Sequence, residues 1–206
     1  MPRMPEEYHQ PTFTPEEVET LIRACVLDNI PPDMVLRLLV SSVFGARRSE
    51  LTELSNEDIT LNADSSTIFI RTMKGGQRKP QPIPSSLLPL FSVPISPIPG
   101  ETLQYRLKRV CKKAGVRLPF RGGFHSLRRR VATSIFETEK SELAVHNFMR
   151  WSVPRQFSML NRYSQTPVEV GNLRILETHP FVRVWQEVVP YILKFNSHYN
   201  SFNDNT

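Results

Sequence analysis

In the stretch Gly123 to Glu137, GFHSLRRRVATSIFE, a histidine is followed three residues later by the first of three consecutive arginines. Residues i and i+3 share a helix face. His125 and Arg128 therefore project together, at the rim of a cleft, if Phe124, Leu127, Val131 and Ile135 form the buried stripe. Arg129 and Arg130 fall on other faces, toward a nucleic acid backbone or water. GARRSEL adds Arg47 just after a glycine break, with Glu50 three residues on to orient an arginine or cap a short helix. MKGGQ carries Lys74 outward on a Gly-Gly turn. Guanidiniums stay charged and offer bidentate donors to nonbridging oxygens. Two of them with an imidazole and an ammonium suit the charge that develops on a pentavalent phosphate. No Cys/His cluster has zinc spacing and no Asp/Glu constellation suggests magnesium, so neither metal nor cofactor is expected. No Ser-His-Asp or Cys-His pattern supplies a nucleophile.

These side chains need a scaffold, and 206 residues at 39% hydrophobic can bury a proper core. The net charge is +6, and its distribution is uneven: from Thr102 to Phe136 there are ten Lys/Arg and no Asp or Glu. Such a run reads as a basic face for a polyanion, nucleic acid first among the candidates. Cys25 and Cys111 lie far apart within helical patterns and read as small buried hydrophobes, not as a disulfide. The N-terminus lacks the apolar core of a secretory signal, and no apolar run is long enough to span a bilayer. A cytoplasmic, nucleoid-associated setting is the expectation.

Thr14-Pro15-Glu16-Glu17 is a capping box that opens a first helix, with Val18, Leu21, Ile22 and Cys25 at helical spacing. A second helix is predicted over 32–44 and a short one over RRSELTELS. STIFIRTM, Gly75-Gly76 and QRKPQPI read as a β-hairpin whose proline-bearing second arm is an edge strand. The prolines of 85–100 suggest an extended surface loop. GETLQYRLKRVCKKAG is a helix closed by Gly115. Helical patterns follow at about 124–139, 141–150, 154–164 and 180–195, the last with Pro190 as a kink. The expected fold class is mainly α with a small antiparallel β-sheet (α+β).

From about Phe13 to Tyr163, the order of these segments resembles the catalytic domain of the tyrosine recombinase (phage integrase) family. FTPEEVETLIRA is similar to that family's opening helix and FGARRSELTELSNEDI to its first-arginine box. IRTMKGGQRKPQPIP is similar to its hairpin, FHSLRRRVAT to its H-x-L-R box and FMRWS to its L-G-H-S segment. MLNRYSQTP would carry its tyrosine. The resemblance implies Arg47, Lys74, His125, Arg128, Trp151 and Tyr163 as catalytic residues. It also implies a metal-free reaction through a 3′-phosphotyrosine intermediate. Arg71, Arg78, Lys79, Lys108, Arg109, Lys112, Lys113, Arg121, Arg129 and Arg130 are the basic residues expected against DNA. Trp151 replaces histidine, a substitution that the family tolerates. Three departures stand out: the spacing from Trp151 to Tyr163 is longer than usual, Arg150 stands where the family has glycine, and no N-terminal DNA-clamping domain is expected before the first helix.

The expected division is an N-terminal extension (1–12), a catalytic domain (13–178) and a C-terminal helix and tail (179–206). By resemblance the last would dock on a neighbouring protomer, although folding back on its own domain is equally open. Site-specific DNA recombination or integration by a mobile element is the leading reading. Double-stranded DNA would be the partner, with a homo-tetramer on two sites and no membrane. A type IB topoisomerase-like enzyme and a catalytically weak DNA-binding remnant are the alternatives.

Overall fold

The computed structural model describes residues 12–27, 30–62, 65–72, 79–119, 122–152 and 167–203, with side chains through 194. The capping box forms as its residues dictate: Glu17 N–H donates to Thr14 Oγ1 (3.2 Å) and Thr14 N–H to Glu17 Oε2 (2.8 Å), opening α1 (Pro15–Arg23). A 3-10 turn (Ala24–Val26) continues it. α2 (Pro32–Phe44) is buried from Met34 onward, as a helix apolar on nearly every side must be. It packs against α1, α3 (Arg48–Thr52), α6 (Phe124–Glu139) and the last helix, so it is the spine of the domain.

α2 carries one charge into the core. Arg37 is fully buried, and donates to Leu51 O (3.2 Å), Ser96 O (2.5 Å) and Asp33 Oδ2 (2.9 Å). Asp33 also pairs with Arg106 (2.7 Å) on α5 (Gly100–Ala114). A buried guanidinium is tolerable only when its donors are used, and here they tie α2 to α3 and to the 92–99 segment, while Asp33 carries the tie on to α5. Gly115, at φ +68°, closes α5 as predicted.

The two arms of the expected hairpin pair, and a further strand joins them on the other side. β1 (Ile59–Thr60), β2 (Thr67–Ile68) and β3 (Gln81–Pro82) form an antiparallel sheet in that order, with Ile59 opposite Ile68 and Ile68 opposite Gln81. β3 is an edge strand, where Pro82 needs no donor. The Gly-Gly turn and Lys74 lie outside the described residues, as does the helix expected over 154–164. The surface loop expected over 85–100 is a correction. A 3-10 turn (Ser85–Leu87) leads into α4 (Leu88–Phe91), and Leu87, Leu90, Phe91 and Ile95 are core residues. Pro84 and Pro89 sit before or within first turns, where a missing N–H costs nothing.

After α7 (Glu142–Phe148) the sequence patterns missed a helix, α8 (Val168–Thr178). α9 (Pro180–Asn203) then runs through Pro190. Val182, Trp185, Val188, Val189 and Ile192 are buried in the same core cluster as α1 and α2. Trp185 is wholly inaccessible and its indole N–H donates to Ser42 Oγ on α2 at 2.9 Å. The apolar face expected to dock on a neighbour is thus covered by the chain's own core. Cys25 and Cys111 are buried free thiols, both pushed up by desolvation, Cys111 to about 11.

Two predictions concern this C-terminal closure. Trp185→Ala removes a fully buried indole and its hydrogen bond, and should cost about 3–5 kcal/mol in urea unfolding. His179 caps α9, its Nδ1 accepting from Phe181 N–H (3.2 Å), and burial pushes its imidazole down from 6.5 to about 3. Between those values the unfolded chain binds a proton that the folded chain refuses. Stability therefore falls as pH drops from 6.5 toward 3, by about 1.4 kcal/mol per pH unit for this group. His179→Asn keeps a capping acceptor without the titration, and should flatten that acid limb in urea unfolding measured at several pH values.

Candidate active site

α2 ends at Gly45, whose φ of +61° reverses the chain into the arginine box. A side chain there would be strained by that φ, and its Cβ would also displace the end of the Met149 side chain, meeting Cε at 2.6 Å and Sδ at 2.9 Å. The reversal delivers Arg47 as the N-cap of α3. The Glu50 side chain folds back so that Oε2 accepts from Arg47 N–H and Oε1 from Arg47 Nη1, both at 2.7 Å. Glu50 thus both caps the short helix and orients the arginine.

The same carboxylate is the meeting point of two further arginines. Arg150 Nη2 lies 3.4 Å and Arg128 Nη1 4.0 Å from Oε2. Arg128 also donates to the carbonyls of Gly45 and Met149 (2.9 Å for the latter), and Arg150 to that of Phe44 (3.0 Å). Phe44 ends α2, and Met149 follows the end of α7. Last-turn carbonyls lack partners within their own helix, and the negative end of the helix dipole favours a cation there. Glu50 is buried with Arg128 and Arg150, whereas the Arg47 side chain remains 23% exposed. Burial, then Arg150 and Arg47, push the Arg128 guanidinium down to about 9. Burial likewise lowers Arg150, to about 10, against the opposing pull of Glu50. Both remain cations at neutral pH.

Trp151 roofs this cluster, its ring centroid 5.7 Å from Arg128 Cζ, within cation–π range. His146 meets the indole edge-on at 5.2 Å, and its Nδ1 is 3.1 Å from Ser152 O. The expected helix stripe is present, Phe124, Leu127, Val131 and Ile135 all being buried. Depth departs from expectation: His125 is exposed at the start of α6, and Arg128 lies beneath the surface rather than at the rim of a cleft.

The basic residues expected against DNA divide. Lys79, Lys108, Arg109, Lys112 and Lys113 are exposed. Arg71 is paired with Asp58 (2.7 Å) and Glu57 (3.6 Å). Arg129 is half-buried, and Arg130 donates to Phe13 O (3.1 Å) and lies 3.8 Å from Glu137. Lys74, Arg78, Arg121 and Tyr163 lie outside the described residues. Arg150 is the site residue that sequence reasoning missed as a functional group. The one signal was an arginine in place of glycine. Among the described residues no His/Cys/Asp/Glu group could hold a metal ion, and no helix is long and apolar enough to cross a membrane.

No protein-family model matches the sequence, and no curated protein matches it. Solved structures do. The XerH site-specific recombinase bound to palindromic difH substrate, a post-cleavage complex, superposes with TM-score 0.59 and 18% identity over 82% of this chain and 53% of that one. XerA recombinase gives 0.55 and 20%, over 84% and 66%. The integrase from mycobacterium phage Brujita gives 0.54 and 15%, over 90% and 60%. This chain has the fold of the tyrosine recombinase catalytic domain, mainly helical with one small antiparallel sheet. It spans 53% of the length of the XerH chain that it matches.

Removing the shared anion tests the centre of the site. Glu50→Gln leaves three clustered guanidiniums without their carboxylate, and should destabilise the domain by about 3–5 kcal/mol in urea unfolding at neutral pH.

Proposed function

We propose that this chain is the catalytic domain of a site-specific DNA recombinase that cuts and rejoins strands through Tyr163. The observation that carries the reading is the convergence of Arg47 and Arg128 on buried Glu50, within a recombinase fold. Two guanidiniums from separate parts of the sequence are brought to one carboxylate, and three arginines against one acid leave the cluster cationic. A phosphodiester is the anion such donors fit.

In this mechanism the Tyr163 hydroxyl attacks DNA phosphorus. The P–Oη bond forms, the P–O5′ bond breaks, and the strand is left on a 3′-phosphotyrosine with a free 5′-hydroxyl. Arg47 and Arg128 hold the nonbridging oxygens as charge accumulates on them. His125 takes the tyrosine proton or hydrogen-bonds the phosphate, and Lys74 protonates the leaving 5′-oxygen. Trp151 packs over Arg128 and lends its indole N–H. A 5′-hydroxyl from a second strand then attacks the phosphotyrosine. That step restores a phosphodiester, returns the proton to Tyr163, and needs no external energy source because the bond energy is kept in the covalent link. The exposed lysines and arginine of α5, with Lys79, would hold the duplex backbone, so affinity should fall steeply with salt. Exchange between two sites calls for a homo-tetramer on DNA, in the nucleoid of the cell that carries the element.

The reading is tested on a nicked suicide duplex drawn from the flanks of the encoding element. The wild type should give a covalent protein–DNA band on a denaturing gel, and Tyr163→Phe none. A four-way junction substrate should then be resolved to recombinant products; relaxation of supercoils without junction resolution would indicate a topoisomerase. Salt-dependent DNA binding with no covalent band would leave a binding remnant.

A further inference from the structure

Arg150 is buried in the cluster, yet the mechanism above gives it no task. Its backbone sits at φ +56°, a region that costs a non-glycine residue conformational energy. Its guanidinium is 1% exposed, and Nε has no hydrogen-bond partner. Burying an arginine incompletely paired is expensive, and an apolar side chain of similar length would fill the same volume. Packing alone therefore does not explain an arginine here.

The distances around Glu50 suggest what does. Oε1 is taken by Arg47 Nη1, and Oε2 is shared by Arg47 N–H at 2.7 Å and Arg150 Nη2 at 3.4 Å, leaving Arg128 at 4.0 Å. Arg128 donates instead to the carbonyls of Gly45 and Met149, bonds with which a freed Oε2 would compete. Without Arg150, Oε2 would have one strong attraction left unspent, toward Arg128. We propose that Arg150 is a positioning residue: by occupying Glu50 Oε2 and the end of α2, it keeps Glu50 from capturing Arg128, so that Arg128 stays behind Arg47 as the second cation of one phosphate site. The inference rests on the recombinase reading only in taking phosphate as the ligand.

The test uses the full chain labelled with 15N-arginine, titrated with inorganic phosphate while the Arg47 and Arg128 side-chain resonances are followed by NMR. Arg150→Met keeps most of the volume but loses the charge. It should weaken phosphate binding by about tenfold, the worth of one charge-assisted contact. Arg150→Lys should bind within about threefold of the wild type, a difference well under one such contact. The telling readout is the contact itself: Arg150→Met should show new nuclear Overhauser effects between the Arg128 and Glu50 side chains, absent from the wild type and from Arg150→Lys. Lost charge or lost packing alone would not create that contact. If Arg150→Met proves unfolded by thermal melting, Arg150→Gly, which relieves the backbone, carries the same expectation. Unchanged affinity in the folded single variant, no Arg128–Glu50 contact in it, or no saturable shift in the wild type would each overturn the proposal. Saturable phosphate binding by a wild type that forms no covalent DNA adduct would instead sink the recombinase reading and leave this one standing.

Discussion

One buried carboxylate sets the architecture of the candidate site. Glu50 lies where the end of α2, the start of α3, the first turns of α6 and the turn after α7 come together, and an arginine from three of these segments reaches it or its surroundings. Separate burial of each guanidinium would be prohibitive. Together they become possible because the compensation is pooled: one acid, and the carbonyls of Phe44, Gly45 and Met149 at helix ends that would otherwise need water. The arginines thus do for α2 and α7 what glycine-rich caps or solvent do elsewhere, and in exchange the helix ends fix the arginines.

That arrangement only works if α2 cannot move. Its burial on all sides, the Arg37 hydrogen bonds to Leu51 and Ser96, and the Trp185–Ser42 bond from α9 all restrain it. α9 is in this sense part of the support of the site: it braces the helix whose last carbonyls hold Arg128 and Arg150. Gly45 is the complementary constraint: its φ of +61° turns the chain out of α2, and the Met149 side chain packs in the space where a Cβ would stand.

What could be read from the sequence was whatever depends on neighbours in the chain. The Thr14–Glu17 box, Gly115 and the Phe124–Ile135 stripe are local rules, and each holds. Glu50 was legible as an arginine's partner because Arg47 is three residues away. That it also serves Arg128 and Arg150 depends on long-range packing that no local pattern encodes. Arg150 itself looks like surface by residue type, and its burial follows from the φ +56° turn that points it inward. The 85–100 segment misled because its prolines resemble a loop, while Leu87, Leu90 and Phe91 at helical spacing carried the better signal. α8 escaped because it buries little more than Asn172, Ile175 and Leu176.

The asymmetry among the three arginines gives the site its direction. Counting charges, three guanidiniums against one carboxylate leave a surplus of two. In a region screened from water such a surplus is felt more strongly than on an open surface, which is why Arg128 is pushed down by its arginine neighbours as well as by burial. Arg128 is roofed by Trp151 and Arg150 is sealed beneath, so Arg47 is the member through which the surplus meets solvent. An arriving oxyanion would therefore meet Arg47 first and, once bound, would relieve repulsion that the folded protein already sustains. A surplus that the fold must sustain in the absence of an anion is one that a bound oxyanion would in part offset.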